Sequence, residues 1–228
     1  METVVITGAN RGIGLGLTRR YLEAGKRVVA TCRDSSRPGE LGTLASHENL
    51  RVFQLEVRDA DSVSRLSSSL SGETVDVLIN NAGVMGSPRQ GIDDMDYEAW
   101  LEAFEVNTLA PFRLATALRA NLRRSRRPRI VTLSSQMGAL ALQSTGFYAY
   151  RSSKAAVNKV MQVMAADLEK DGIIACPVHP GWVRTEMGGA DADISVAESV
   201  SGLFDLIETM TMAHSGRFWT WEGHEHPW

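Results

Sequence analysis

Cysteine is nearly missing from this 228-residue chain: only Cys32 and Cys176 occur, and both fall inside apolar runs that read as buried strands. That excludes a disulfide framework and fits a reducing, cytoplasmic setting. Net charge is close to balanced at −3, so nothing pulls the chain as a whole toward nucleic acid or an anionic membrane. No apolar stretch reaches the ~18 to 20 residues that span a bilayer. The start, where Met1 leads into Val4-Val5-Ile6, lacks the basic opening and long apolar run of a signal peptide. Internal repeats, low-complexity tracts and composition shifts that would mark a linker are absent as well. What remains is an ordinary globular composition, 43% hydrophobic and 22% charged, long enough for one sizeable core.

Within that composition, short β-branched runs alternate with longer stretches of helical period, the pattern of βαβ units and a parallel sheet covered on both faces. Seven strands are predicted: Val4 to Ile6, Val28 to Cys32, Val52 to Leu55, Val75 to Asn80, Ile130 to Ser134, Ile173 to Val178 and Phe218 to Thr220. Helices are predicted near 12–24, 60–71, 97–123, 150–170 and 195–213, the second opened by Asp59 as N-cap. The expected architecture is one doubly wound α/β domain of Rossmann type over residues 1–228, its seven-stranded sheet mostly parallel.

The first strand runs directly into Thr7-Gly8-Ala9-Asn10-Arg11-Gly12-Ile13-Gly14 and a helix start. Gly8 permits a sharp turn, Gly12 a close approach to a pyrophosphate, and Gly14 close packing of helix on strand, while the helix N-terminus offers unpaired N–H groups to an anion. Farther on, Tyr150 and Lys154 stand four residues apart, so both project from one face of a helix. A fixed positive charge there draws a phenol of ordinary pKa ~10 toward the working range of an acid–base catalyst. Tyr148 is a second phenol, but only Tyr150 has a lysine one turn later.

Thr7-Gly8-x-x-x-Gly12-Ile13-Gly14, with three residues between its first two glycines, resembles the cofactor motif of the short-chain dehydrogenase/reductase family. Asn80-Asn81-Ala82-Gly83 resembles that family's element bordering the cofactor, and Asn107, Ser135, Tyr150 and Lys154 resemble its catalytic tetrad. The resemblance implies that Tyr150 exchanges a proton with the substrate oxygen and that Lys154 lowers the tyrosine pKa and holds the nicotinamide ribose. It implies further that Ser135 hydrogen-bonds the substrate and that Asn107 orders a water. Ser134 competes with Ser135 for that role, and strand alternation lets only one of them face the site; Ser135 is preferred. His179-Pro180-Gly181-Trp182-Val183-Arg184-Thr185 resembles the segment in which the backbone near Val183 and the Thr185 hydroxyl meet the nicotinamide carboxamide.

Cofactor choice turns on Thr31-Cys32-Arg33-Asp34. A guanidinium at that strand end pairs with the extra phosphate of NADP, whereas a carboxylate takes the ribose hydroxyls of NAD. Arg33 favours NADP with help from Arg11, and Asp34 keeps NAD open. Where the family usually has an aspartate toward the adenine, this chain has Glu56, one methylene longer; the resemblance keeps Glu56 as a cofactor-binding candidate, and a backbone contact from Val57 is expected whether or not the longer side chain reaches. The stretch from Met187 to Ser195 is short for a substrate lid and suggests an open site. The finer resemblance is to the subgroup of C-signal proteins and Sniffer-type carbonyl reductases. It rests on Pro180 to Gly189, on Tyr148 to Lys154 and on the tail from Phe218 to Trp228.

The expected activity is hydride transfer between NADP(H) and a small-molecule carbonyl or secondary alcohol, and the open site suggests broad or bulky substrates. The alternative is a dinucleotide-binding signalling protein. By resemblance the long helices near 97–123 and 150–170 imply a homodimer or homotetramer. Arg119, Arg123, Arg124, Arg126, Arg127 and Arg129 read as a solvated surface, and His224-Glu225-His226 as a polar tail, not a metal site.

Overall fold

The computed structural model describes residues 1–228 and holds one seven-stranded sheet. Its strands are β1 (Thr3–Ile6), β2 (Arg27–Cys32), β3 (Leu50–Gln54), β4 (Val77–Asn80), β5 (Arg129–Leu133), β6 (Ile174–His179) and β7 (Trp219–Thr220). Every pairing is parallel, in the order β3-β2-β1-β4-β5-β6-β7. The order reverses between β1 and β4, and at such a switch point the loops leave in opposite directions and open a crevice beyond the carboxyl ends of the strands. The expectation of seven strands holds, with the sheet wholly parallel.

Side chains alternate between two cores. Val4, Ile6, Val77, Ile79, Val131 and Leu133 face α1 (Gly12–Glu23) and α7 (Val196–Thr209), where Leu17, Tyr21, Leu203 and Ile207 close the layer. Val5, Val29, Leu78 and Ile130 face the opposite layer, built from α2 (Ala60–Ser69), α4 (Ala110–Ala117) and α6 (Tyr148–Leu168). Because both faces are covered, the strands read as continuous apolar runs. Helix starts follow local chemistry: Asp59 accepts from the amides of Asp61 and Ser62, and Ser195 forms a reciprocal capping box with Glu198.

The helix expected over 97–123 is broken. α3 (Tyr97–Phe104) widens into a π turn at Glu105–Leu109 before α4, and α5 (Arg119–Leu122) follows as a separate turn. Pro111 explains the first break: it has no N–H for the Asn107 carbonyl four residues earlier, and its ring would clash there. The wider turn, in which the Ala110 amide reaches Glu105, relieves that conflict.

At the amino-terminal edge of the sheet the reading of Arg129 as solvated is corrected. Arg129 is fully buried, 2.8 Å from Glu2 and 3.5 Å from Glu208, and Lys26 lies 2.5 Å from the same Glu2. Arg119 and Arg123 pair with Asp171. The tail is corrected too, for His226 packs on the rings of Phe218 and His179, and Trp228 stacks on Phe218.

Candidate active site

The carboxyl ends of β1 to β6 bring the expected residues to one edge of the sheet. After β1, Gly8 takes φ +62°, and a Cβ there would lie 3.0 Å from the Ala82 Cα. α1 is preceded by its N-cap residue Arg11, which is extended and gives no side-chain cap. The first amide to find an intrahelical acceptor is that of Leu15, on the Arg11 carbonyl at 3.2 Å. The amides of Gly12, Ile13 and Gly14 are thus left without acceptors, an arrangement that suits an anion. Gly14 is fixed by contact, since a Cβ would come within 2.5 Å of both the Gly8 carbonyl and the Asn81 Nδ2. Asn10 lies half-buried inside the turn.

The loop after β4 is fastened to this turn. Thr7 Oγ1 accepts from the amides of Asn81 and Ala82, each at 3.0 Å, and Asn81 Nδ2 donates to the carbonyls of Thr7 and Gly8. Beyond Gly83, Asn107 clamps Val84 from both sides: its Oδ1 accepts from the Val84 amide and its Nδ2 donates to the Val84 carbonyl, both at 2.9 Å. The same Nδ2 donates to Ser153 Oγ at 3.0 Å. The Asn107 amide group is therefore committed to protein partners.

At the end of β2, Arg33 is exposed and makes no hydrogen bond or ion pair. Asp34 is turned away into its own loop, where Ser36 and Arg37 hold its carboxyl down at about 2. Arg11, expected beside the same phosphate, instead pairs with Glu186 across the cleft. Glu56 Oε1 accepts from the Arg58 amide, so this carboxylate braces its own turn, whereas the Val57 amide has no partner inside the protein.

The two adjacent serines separate as strand alternation requires. Ser134 Oγ donates to Asn158 at 2.5 Å in the interior, while Ser135 lies against Tyr150 and accepts from the Met137 amide. Tyr150 and Lys154 are both buried in the first turns of α6. Burial pushes the Tyr150 phenol up, and the Ser135 hydroxyl opposes that rise. Burial pushes the Lys154 ammonium down to about 8. Lys154 Nζ donates to the Leu133 carbonyl at 2.8 Å and stands 5.7 Å from the Tyr150 ring centroid. A Cβ on Gly83 would lie 3.2 Å from Asn107 Oδ1 and 3.7 Å from Lys154 Nζ, so these three residues meet at one point.

After β6, the Pro180 carbonyl accepts from Ser199 Oγ at 2.6 Å, and Gly181 makes the turn with φ +89°. Val183 is buried and bridges to Ile194. Thr185 lies against the glycine turn, 3.3 Å from where a Gly12 Cβ would be, and its Oγ1 accepts from the Gly188 amide. The short lid is braced by the Trp182 indole on the Gly188 carbonyl and by Arg184 on the carbonyls of Ala192 and Asp193. Trp182 and Met187 remain partly exposed at its rim. Sequence reasoning missed three participants, Ser153, Glu186 and Gln90. Only Ser153 carried a signal, lying within the Tyr150-to-Lys154 turn.

The residue pattern of the short chain dehydrogenase family matches residues 2–193. The C-signal protein of Myxococcus xanthus is 43% identical over 155 residues, which cover 68% of this chain and 93% of that protein. The NADPH-bound carbonyl reductase from chicken fatty liver superimposes with a TM-score of 0.94 at 34% identity, covering 100% of this chain and 99% of that one. The carbonyl reductase Sniffer of Drosophila melanogaster also gives 0.94, at 30% identity and 100% coverage of both chains.

Proposed function

Since the chain belongs to the short chain dehydrogenase family, we propose that it is an NADP(H)-dependent carbonyl reductase, reversible as a secondary-alcohol dehydrogenase. One observation carries the reading: a buried phenol, Tyr150, lies against the Ser135 hydroxyl with the buried Lys154 ammonium one helical turn away.

The residues around the crevice fit a dinucleotide with an extra phosphate. The unpartnered amides of Gly12, Ile13 and Gly14 meet the pyrophosphate, and the unpaired Arg33 guanidinium meets the 2′-phosphate. Asp34, held by Ser36 and Arg37, is withdrawn from the ribose hydroxyls that an NAD enzyme would need it to accept. Val57 supplies an amide toward the adenine. Asn81, Ala82 and Gly83 would border the nicotinamide, and Pro180, Gly181, Val183 and Thr185 would hold its carboxamide. When bound, NADPH supplies the hydride that reduces the carbonyl carbon.

Ser135 holds the carbonyl oxygen by donating to it, and Tyr150 donates its phenolic proton to that oxygen as it gains charge. Lys154 stabilises the phenolate that is left. With the Asn107 amide committed to Val84 and Ser153, the group left to order a water is the Asn107 carbonyl, to which Pro111 offers no N–H. A dinucleotide-binding signalling protein without turnover, the rival reading, gives this buried acid–base pair no task.

The test is NADPH consumption on a panel of ketones, aldehydes and quinones, wild type against Tyr150→Phe. A loss of at least about a hundredfold is expected in the variant with NADPH binding retained. A wild type no faster than the variant defeats the proposal. Leu109 on the turn between α3 and α4, Phe112 on α4 and Val163 on α6 are half-exposed, which supports a homo-oligomer built on that face, and sedimentation checks it. Two buried free thiols support a reducing, cytoplasmic setting.

A further inference from the structure

Tyr150 occupies the weakest part of its helix. α6 starts at Tyr148, its N-cap Phe147 is left-handed at φ 54°, and no side chain of the helix's own caps it. The Tyr150 amide is one of the first-turn donors that an α-helix leaves without an intrahelical acceptor, whereas Lys154 is a full turn inside. First turns fray, and a general acid in a frayed turn would wander relative to Ser135 and Lys154.

Gln90 closes this gap from a different segment. It lies in the loop between β4 and α3 and is only 4% exposed. Its Oε1 accepts from the Tyr150 amide at 3.1 Å, and its backbone carbonyl accepts from the Tyr148 amide at 3.3 Å. Its Nε2 donates to the carbonyls of Met85 at 3.0 Å and Ser87 at 2.8 Å. Both hydrogens of the side-chain amide and one acceptor position are used, an arrangement only an uncharged glutamine at this reach satisfies. The segment it grips continues from Asn81 to Val84, which Thr7, Gly8 and Asn107 already fasten to the glycine turn.

We propose that Gln90 is a positioning residue for the reaction: it caps the catalytic helix in place of a local N-cap and fixes Tyr150 to the loop that borders the nicotinamide. This rests on the reductase reading for its consequence, though not for its geometry. Gln90 touches neither the substrate nor the reacting atoms and acts through the backbone of Tyr150. The cofactor cradle and the proton donor are thereby joined by one side chain.

Amide exchange in the wild-type protein tests the cap directly. The Tyr150 amide should be protected like that of Val157 in the helix interior, and exchange as fast as a frayed first-turn amide overturns the proposal. Gln90→Met, of similar length but without hydrogen bonds, should lower kcat about 10- to 100-fold while the NADPH dissociation constant and the carbonyl KM stay near wild type. Gln90→Glu keeps an acceptor for Tyr150 and, when protonated, one donor. It should recover part of kcat, and more at pH 6 than at pH 9. Equal losses in both variants at all pH values, or a loss confined to KM, would show that Gln90 merely fills its loop. A wild type that binds NADPH but turns over no carbonyl defeats the reductase reading, and the exchange result still decides the cap.

Discussion

Replacing Lys154 by Met removes a buried positive charge and little volume, and its effect follows from one distance. The ammonium lies 5.7 Å from the Tyr150 ring centroid. With an effective dielectric constant of ~20, a full unit charge at that separation favours the phenolate by about 3 kcal/mol, an upper bound because burial brings the ammonium's own pKa down to about 8. One pH unit corresponds to ~1.36 kcal/mol, so the Tyr150 pKa should rise by at most roughly two units in the variant. Burial already pushes this phenol up, which leaves the variant with even less phenolate near neutrality. Alcohol oxidation needs the phenolate as base, so its rate should fall by up to about a hundredfold below pH 8, where Lys154 is charged, the difference shrinking above that pH as the ammonium deprotonates, and its pH limb should move upward. Steady-state oxidation of a secondary alcohol with NADP between pH 6 and 11 reads both quantities. A limb displaced by less than about half a unit would refute the electrostatic argument, leaving Lys154 as a ribose anchor whose loss shows in KM.

Arg33→Asp should weaken NADPH binding about 10- to 100-fold and improve NADH, because a phosphate loses its charged hydrogen bonds and ribose hydroxyls gain an acceptor. Unchanged affinity in a fluorescence titration would remove Arg33 from the cofactor site. Gly14→Ala forces a methyl to within 2.5 Å of the Gly8 carbonyl and should cost about 1–3 kcal/mol, seen as a lower Tm together with weaker NADPH binding. A variant indistinguishable from wild type would contradict the close approach. His179 is buried with Nδ1 unpartnered, and its pKa is pushed down to about 4, chiefly by burial and further by His226. The unfolded chain binds the proton below pH ~6.5 and the folded chain only below about 4, so this group makes stability fall as pH drops through that window. The loss amounts to at most about 3 kcal/mol, and His179→Gln should flatten the slope in urea melts at pH 7 and pH 4.5. Equal slopes in the two proteins would remove His179 as the cause.

The sheet was legible because strands buried on both faces, such as Val4 to Ile6 and Ile174 to Val178, show themselves as short apolar runs. The gathering of residues at the candidate site was legible where one local segment carries the pattern: Thr7 to Gly14, Asn80 to Gly83, Tyr150 with Lys154. Relations between segments were not. Gln90 lies in an unpatterned loop, and its value depends on where the Tyr150 amide arrives, which no local spacing encodes. The Arg11 pairing with Glu186 joins residues 175 positions apart, and the guanidinium alone suggested only a phosphate. The break at Glu105–Leu109 had a local sign in Pro111, which the apolar stripe along 97–123 concealed.

The charge cluster that the half-buried Glu2, Glu208 and Lys26 form around fully buried Arg129 has a practical meaning for anyone wishing to redirect this scaffold. They knit β5, the first residues of the chain and the C-terminal end of α7 at the edge of the sheet remote from the crevice. Truncating Glu2 or Glu208 would leave the Arg129 guanidinium short of a partner in the interior, so that edge tolerates little. The segments 85–96, 136–147 and 186–194 hang from the other edge and are free of this network. A library meant to change which carbonyl is accepted belongs in those segments, with Gln90 kept constant, and an N-terminal fusion should leave Glu2 and its partners intact.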